Sequence, residues 1–331
     1  MAAVAAIRYR GAGGAEVIEL GEIEVREPGV GEVTVEVAAA GLNRADVLQR
    51  RGQYPAPPGS PPDVPGLELA GTVIARGPGA TLFEIGAPVM AIVGGGAMAQ
   101  RITLHERELA PVPRGVDVVA AAAIPEAFLT AWDALVSQAR LGGGETMLVH
   151  AAASGVGTAA LQIARAVGAR AIATTRTAAK LPPLAAFGLA DGDGLVVTDG
   201  TFAPAVQKLT GGGASVILDA VGAAYFDENL RALAPRGRLV LIGTLGGGGG
   251  KPPAIGMMLG KRATVIGTVM RARPLEEKIA LARIATTRLV PLFERGVLAP
   301  VIDQIMPMTA CADAHARMER DANVGKIVLR W

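Results

Sequence analysis

Three small residues, Gly155, Gly157 and Ala160, follow an apolar run in the stretch LVHAAASGVGTAALQIARAVG. They fit the spacing G-x-G-x-x-G/A, in which a tight turn brings backbone N–H groups and the positive end of a helix toward phosphates. Gly155 makes the turn, Gly157 lets the backbone approach a diphosphate, and Ala160 lets the helix pack on a sheet. Ser154 and Val156 belong to the same candidate phosphate loop.

That spacing alone is a weak signal in a chain with 44 glycines. Its surroundings strengthen it, because an apolar strand precedes the loop, a helix follows, and a second strand ends about 20 residues further on. The sequence therefore predicts a dinucleotide site, and the alternative is a glycine turn that holds no ligand.

The end of the second strand, TTRTAAK, indicates which dinucleotide binds. NAD sites usually place Asp or Glu there, to bind the ribose 2′-hydroxyl group. This segment has no acid, and Arg176 and Lys180 instead suit a 2′-phosphate. We therefore predict NADPH as the cofactor; the alternative is that both cations are solvated residues at a helix start.

The elements that must position this loop are visible as short apolar runs from about residue 126 onward. Separated by crossovers, they predict a doubly wound parallel sheet and so an α/β domain. Residues 1 to about 125 are richer in valine, glycine and proline, and EVTVEVAAAG alternates like a strand, which indicates a β-rich domain. The six predicted strands of the parallel sheet are 146–151, 169–175, 194–199, 215–222, 237–243 and 263–268.

Composition excludes several classes of protein. The 331 residues are enough for two domains, and the net charge of +2 is spread out, so nucleic acid is not an expected partner. No apolar run reaches the roughly 18 residues of a membrane span. The N-terminus predicts no signal peptide, with weak organelle targeting as the alternative. The single cysteine, Cys311, excludes an intrachain disulfide, and we expect a reducing, cytoplasmic setting.

Five motifs spread over nearly the whole chain carry a family resemblance. Through them the chain resembles the medium-chain dehydrogenase/reductase superfamily, within it the zinc-free quinone oxidoreductases, and most closely the p53-inducible quinone oxidoreductase-like branch. The motifs are GLNRADVLQRRGQYPAPPG (41–59), GLELAG (66–71), HAAASGVGTAALQ (150–162), GRLVLIG (237–243) and NVGKIVL (323–329).

The resemblance implies a Rossmann domain, residues 126–268, inserted into a GroES-like catalytic domain made of residues 1–125 and 269–331. It also implies an active site between the domains and a homodimer. Zinc-dependent relatives bind their metal through cysteine and histidine, but here Asn43 stands where the first cysteine would be and Leu67 where a histidine would be. Only Glu68 of that neighbourhood remains. Since zinc is usually held by thiolate or imidazole, we expect no metal.

Without a Lewis acid, the chemistry that remains is direct hydride transfer from the nicotinamide to an electron-poor acceptor. A quinone fits best. The alternatives are an enoyl or alkenal acceptor, or a protein of low turnover that binds NADPH for a regulatory purpose.

The catalytic candidates lie in the most specific motif. Tyr54, in a proline-dense loop at 53–66, is expected to line the substrate cleft and to hydrogen-bond the acceptor oxygen or the nicotinamide region, or else to be a packing aromatic. Asn43 is expected to orient the nicotinamide ribose or the substrate, and Asp46 its neighbours. The alternative for both is capping of a helix that begins near Ala45.

The family pattern implies further cofactor contacts, each of which also has a structural interpretation, such as a polar residue before a helix or a glycine after a strand. These residues are Thr130, Gly243, Asn323 and the backbone of Thr268, Val269 and Met270.

Overall fold

The computed structural model describes residues 2–250 and 254–331. The chain forms two compact units. The first, called the GroES-like unit below, contains the residues up to Leu129 together with Met270–Trp331, and the second, the Rossmann unit, is Thr130–Val269. The domain borders that the resemblance implies, after residues 125 and 268, lie near these changes of unit.

The strands of the described residues are numbered in chain order. They are β1 (Ala2–Tyr9), β2 (Ile18–Val25), β3 (Glu32–Leu42), β4 (Glu68–Arg76), β5 (Pro88–Ile92), β6 (Arg101–His105), β7 (Ala110–Pro111), β8 (Thr146–Val149), β9 (Arg170–Thr175), β10 (Gly194–Val196), β11 (Ala214–Asp219), β12 (Leu233–Leu241), β13 (Thr264–Gly267), β14 (Ile302–Pro307) and β15 (Lys326–Arg330).

The α-helices of the described residues are numbered in the same way. They are α1 (Arg44–Arg50), α2 (Val118–Ala121), α3 (Pro125–Trp132), α4 (Gly155–Ala166), α5 (Ala203–Thr210), α6 (Phe226–Ala232), α7 (Ile255–Lys261), α8 (Leu275–Ile284), α9 (Val290–Glu294) and α10 (Cys311–Glu319). A π-helical turn extends α3 over Asp133–Gln138, and another joins α8 to α9 over Ala285–Leu289.

The GroES-like unit is built on a seven-stranded sheet in the order β14-β15-β3-β4-β5-β7, with β6 also paired to β3. Strands β1 and β2 form a separate antiparallel hairpin. Val33, Val35 and Val37 of β3 are buried in one hydrophobic core, as the alternation in EVTVEVAAAG predicts. The prediction of a β-rich domain is therefore confirmed.

The Rossmann unit contains a six-stranded sheet in the order β10-β9-β8-β11-β12-β13. Every neighbouring pair is parallel. Leu148, Ile172 and Ile217 are completely buried, because helices cover both faces of such a sheet and its strands become continuous apolar runs. All six predicted strands are present, and the predicted α/β fold class is confirmed.

The C-terminal stretch contains α8 and α9, then the extended β14, helix α10 and the final strand β15. In residues 2–250 and 254–331, the helices are too short or too polar to cross a bilayer.

Candidate active site

The candidate phosphate loop lies between β8 and α4, as the sequence predicts. Ser154 is the N-cap of α4, and its hydroxyl accepts a hydrogen bond from the backbone N–H of Gly157 at 3.1 Å. Gly155 and Val156 form the first turn of that helix. Since the first N–H groups of a helix lack partners within it, this end of α4 suits an anion.

Gly157 is required for a steric reason within the protein, in addition to the predicted approach to a diphosphate, which stays a prediction. A Cβ atom at this position would lie 2.5 Å from the carbonyl oxygen of Ala152 and 2.6 Å from that of Ala151. The close approach is therefore made by the loop's own backbone, before any ligand is considered. Ala160 is fully buried on the helix, as expected for a helix packed closely against its sheet.

The two predicted cations follow β9, which pairs with β8. Arg176 comes directly after the last residue of this strand and is exposed, and Lys180 ends a short 3-10 helix, Ala178–Lys180. Since the carboxyl ends of parallel strands meet at one edge of a sheet, both lie on the same side of the sheet as the phosphate loop. They remain the predicted contacts for a 2′-phosphate.

Thr130, a predicted cofactor contact on α3, carries an unsatisfied polar atom. Thr130 is buried, and within the described part of the chain its Oγ1 atom has no hydrogen-bond partner. A buried hydroxyl without a partner is costly and uncommon in native proteins. The atom marks a point in the Rossmann unit where a polar group of a bound cofactor would restore a hydrogen bond.

The other predicted contacts of this unit follow β12 and β13. Gly243 lies two residues after β12. The N–H group of Thr268 donates to Leu241 at 3.0 Å, and its hydroxyl donates to Asp133 at 3.0 Å, so both donors of Thr268 already have protein partners. Val269 is 53% exposed.

Two predicted contacts belong to the GroES-like unit. Met270 is buried. Asn323 uses its amide to donate to the carbonyl oxygen of Gly325 at 2.7 Å, which shapes the turn before β15.

A series of buried hydrogen bonds, which the sequence did not predict, connects the segments at the same edge of the sheet. His150 Nε2 lies 2.7 Å from Asn229 Oδ1, and the Asn229 amide donates to Asp219 at 2.9 Å. Burial lowers the pKa of His150 to about 4, so the ring is neutral. Because Asn229 offers its oxygen, Nε2 carries the proton, and Nδ1 accepts from Thr174 at 2.8 Å.

In the GroES-like unit, Asn43 and Asp46 are in direct contact at the start of α1. Asp46 accepts from the backbone N–H of Asn43 at 2.8 Å and from that of Gly66 at 3.0 Å. The carboxyl group is completely buried, and burial raises its pKa to about 6 against the opposing effect of the two N–H donors. Asp46 therefore has the capping contact that the sequence left as an alternative, and it fixes the turn before β4 as well.

Asn43 also belongs to a buried charged cluster. The Lys326 ammonium donates to Glu68 at 2.5 Å, to Asn43 Oδ1 at 2.6 Å and to the Leu42 carbonyl at 2.8 Å. The Asn43 amide donates to Glu68 Oε1 at 3.0 Å, and Glu68 Oε2 accepts from the N–H of Glu126 at 2.7 Å. Lys326 was not predicted as a site residue. The sequence did contain a signal for it, since Lys326 is the single cation at the start of the apolar run KIVL.

Glu126 stands at the edge of this cluster. Its Oε2 atom is buried and has no hydrogen-bond partner in the described parts of the chain. Burial and, secondarily, the Glu68 carboxylate raise the pKa of Glu126 to about 8, while Lys326 opposes them. The side chain is therefore protonated near neutral pH.

Tyr54 lies in the proline-dense loop and is half-buried. Its hydroxyl makes no hydrogen bond to another described residue, which leaves it available to a ligand. Burial raises the pKa of Tyr54, and the charge of Arg271 opposes that shift. Arg271, a residue that the sequence analysis missed, contacts this tyrosine directly.

Residues 2–250 and 254–331 contain no group of three or more histidine, cysteine or acidic side chains arranged to hold a metal ion.

Comparison with known proteins places these sites in a family. The family model for the alcohol dehydrogenase GroES-like domain matches residues 29–114, and that for zinc-binding dehydrogenases matches residues 155–286. The quinone oxidoreductase of Pseudomonas aeruginosa is 34% identical over 329 residues, which cover 98% of both chains. The chain belongs to the medium-chain dehydrogenase/reductase superfamily and is quinone oxidoreductase-like. The predicted family is thus confirmed, and the p53-inducible branch stays a prediction.

Solved structures of the superfamily share the fold over nearly the full chain. A mycobacterial protein, Rv1454c, complexed with NADPH, is 31% identical with a TM-score of 0.88 and covers 99% of this chain and 100% of its own. An NAD-dependent alcohol dehydrogenase is 34% identical with a TM-score of 0.87 and 99% coverage of both chains. The CurK enoyl reductase is 27% identical with a TM-score of 0.85 and 98% coverage of both. The chain is an oxidoreductase of this superfamily, with a fold that binds a nicotinamide cofactor.

Proposed function

We propose that the protein is an NADPH-dependent reductase that delivers hydride to a quinone without a metal ion. The observation that carries this proposal is the cluster of Asn43, Glu68 and Lys326. Asn43 and Glu68 lie in the two short motifs in which the zinc-dependent relatives are expected to hold their metal, and the Lys326 ammonium bonds to both side chains. Full-length similarity to the Pseudomonas aeruginosa quinone oxidoreductase supports the same acceptor class.

Zinc does not fit the donor set of this cluster. Neither thiolate nor imidazole is present among the three side chains, and zinc is usually held by those groups. Both oxygen atoms of Glu68 already have partners, and one of them accepts from the Lys326 ammonium. A cation bound to Glu68 would have to displace a buried positive charge. Zinc therefore has no part in the proposed reaction.

The residues of the Rossmann unit fit a phosphorylated dinucleotide. Helix α4 begins directly after the phosphate loop, and Arg176 and Lys180 follow β9 with no acidic residue between them. The Thr130 hydroxyl has no hydrogen-bond partner among the residues that the structure describes. When bound, NADPH supplies a hydride. The acceptor then needs one proton more to become a hydroquinone, which gives two electrons and two protons in all.

The role of the chain's own residues in this reaction is to bind, orient and donate. The Tyr54 hydroxyl bonds to none of the other described residues, and burial raises its pKa, so it remains a protonated donor at neutral pH and suits the acceptor oxygen as negative charge develops there. Asn43 and Asp46 hold the start of α1, and with it the GLNRAD segment, in a fixed position.

The second candidate is an enoyl or alkenal reductase. The observation that favours it is the 98% coverage by the CurK enoyl reductase at 27% identity. This reaction differs in that hydride goes to carbon and the following proton to the neighbouring carbon. A third possibility, binding of NADPH with little turnover for a regulatory purpose, predicts the same cofactor affinity with no product.

One panel of assays distinguishes these functions. Oxidation of NADPH and of NADH is followed with small ortho- and para-quinones, a crotonyl thioester and an alkenal, alongside metal analysis of protein purified without added metal. Turnover with quinones and NADPH alone supports the proposal. Turnover only with the thioester or alkenal supports the second candidate. Zinc near one atom per chain would overturn the metal-free assignment.

We also propose a cytoplasmic homodimer. The implied homodimer is supported by exposed apolar side chains in the connection between β12 and β13 of the Rossmann unit, Leu245, Ile255 and Leu259. Light scattering on the purified protein tests it, and a mass near 33.6 kDa at micromolar concentration would overturn it.

A further inference from the structure

Arg271 is buried and held by three acceptors of the GroES-like unit. Its side chain is 1% exposed. Nε donates to the Gly94 carbonyl at 2.7 Å, Nη1 to the Tyr54 carbonyl at 3.1 Å and Nη2 to Gln49 Oε1 at 2.6 Å. Its guanidinium carbon also lies 5.2 Å from the centre of the Tyr54 ring, within the range of a cation–π contact. One side chain thus contacts Tyr54 at both backbone and ring.

Burial of the charged Arg271 side chain lowers the stability of the folded protein. The three acceptors are neutral oxygen atoms, so the hydrogen bonds solvate the charge without neutralising it. Burial lowers the pKa of Arg271 and outweighs the nearby Asp46 carboxylate, which favours the charged form. Taking a cation out of water costs several kcal/mol, and an apolar side chain of similar volume often packs as well. The burial of the Arg271 guanidinium group therefore indicates that its hydrogen-bond geometry serves a purpose other than stability.

Two of the residues that accept hydrogen bonds from Arg271 also contact the proline-dense loop at other positions. Gln49, which accepts from Arg271, donates its amide to the Pro62 carbonyl at 3.0 Å. Gly94, the third acceptor, lies so close to the loop that a Cβ atom there would be 2.2 Å from Ser60 Oγ. Arg271 is therefore connected to the beginning, the middle and the far end of the loop that carries Tyr54.

We propose that Arg271 is a positioning residue, which fixes the Tyr54 ring and the proline-dense loop in the orientation needed for turnover. The inference rests on the proposed reductase function. Arginine suits the role because its planar fork places donors on three separate nitrogen atoms and stacks on an aromatic ring, whereas lysine offers a single point charge at the end of a flexible stem. Arg271→Lys keeps the charge and removes this geometry.

A kinetic cycle tests the consequence for turnover. Arg271→Lys, Tyr54→Phe and the double variant are compared with the unsubstituted protein at saturating NADPH and quinone. We expect Arg271→Lys to lower kcat about tenfold with the NADPH dissociation constant changed less than threefold. In the Tyr54→Phe background the same substitution should lower kcat less than twofold, since its effect acts through the Tyr54 hydroxyl. Losses that multiply in the double variant would overturn the proposal.

Two further variants test whether the loss of kcat is specific to the hydrogen bonds of Arg271. Arg317→Lys, at an ion pair with Asp303 in the same unit, should leave kcat unchanged. Gln49→Met removes one of the three acceptors while Arg271 stays, and it should lower kcat in the same direction by a smaller factor. If Arg271→Lys does not fold, Gln49→Met is combined with Tyr54→Phe in its place. Losses of kcat that multiply in that double variant would overturn the proposal.

A spectroscopic measurement is independent of turnover. The chain has three tyrosines, so protein labelled with ring-13C tyrosine gives three sets of signals, and the Tyr54→Phe spectrum assigns one of them. Arg271→Lys should shift or broaden the Tyr54 signal and leave that of Tyr225 in place. An unchanged Tyr54 signal would overturn the proposal. If the unsubstituted protein reduces neither quinone nor enone, the proposed function fails, and this spectrum alone decides whether Arg271 orients the ring.

Discussion

The ammonium of Lys326 lies 2.5 Å from Oε1 of Glu68, and both side chains are buried in the GroES-like unit. The two charges come from strands β15 and β4, which are not neighbours, and β3 lies between them. The side-chain amide of Asn43, just beyond β3, bonds to both. A buried pair of this kind contributes little net stability while intact, but loss of one partner leaves the other charge unpaired.

Replacement of Lys326 is therefore expected to be costly. Lys326→Met should lower the free energy of unfolding by about 3–5 kcal/mol. The double variant Lys326→Met/Glu68→Gln should recover part of that loss, because no unpaired carboxylate remains. Urea denaturation followed by circular dichroism measures both. The exposed pair of Arg76 and Glu84 provides the control, since Arg76→Met should cost less than about 1 kcal/mol. Equal losses in the two single variants would contradict the prediction.

The sheet and the phosphate loop could be predicted because their signals are local. Strands such as 146–151 are apolar runs bounded by turns, and the crossovers fix a parallel arrangement. Gly155, Gly157 and Ala160 lie within six residues of each other, so their spacing can be recognised in one segment.

The charged cluster could not be predicted, because its members are distant in sequence. Glu68, Glu126 and Lys326 lie on separate elements, and each alone looks like one of the chain's 62 charged residues, the sum of 32 basic and 30 acidic ones. Arg271 was missed for the same reason, since its acceptors are residues 49, 54 and 94. The role of Gly157 depends on where two carbonyl groups point, which spacing does not reveal.

Arg176 should determine the choice between the two nicotinamide cofactors. Arg176→Ala is expected to weaken NADPH binding about 10- to 100-fold, the range for loss of a hydrogen bond between charged groups, and to change NADH binding less than twofold. Fluorescence titration with both cofactors measures the effect. Lys208→Ala, an exposed cation on α5, is the control and should change neither affinity. Equal losses for NADPH and NADH would refute the assignment of the 2′-phosphate.

Tyr54 should affect the rate more than cofactor binding. Tyr54→Phe removes the one hydroxyl and keeps the ring under Arg271, so kcat with a quinone should fall about 10- to 100-fold, as for loss of a hydrogen bond to a developing charge. The NADPH dissociation constant should remain within twofold. Tyr225→Phe, whose ring packs against His150 in the Rossmann unit, is the matched control and should retain full kcat. An unaltered rate in Tyr54→Phe would reduce Tyr54 to a packing role.

Glu126 should make the stability depend on pH. Its pKa in the folded protein is about 8, against 4.5 for an exposed glutamate. Between these values the folded state holds a proton that the unfolded state has lost, so the free energy of unfolding falls as the pH rises, by at most about 1.4 kcal/mol per pH unit. Below pH 4.5 both states are protonated and the effect vanishes.

Glu126→Gln keeps the shape and removes this titration. Urea denaturation at intervals from pH 5 to 9 should therefore give a shallower fall for Glu126→Gln than for the unsubstituted protein. Asp46 and Asp219, whose pKa values burial also raises to about 6, are present in both proteins and cancel in the difference. Glu84→Gln, at an exposed surface site, should leave the slope unchanged. Parallel curves for Glu126→Gln and the unsubstituted protein would mean that Glu126 is ionised in the folded state, with Lys326 stabilising two carboxylates rather than one.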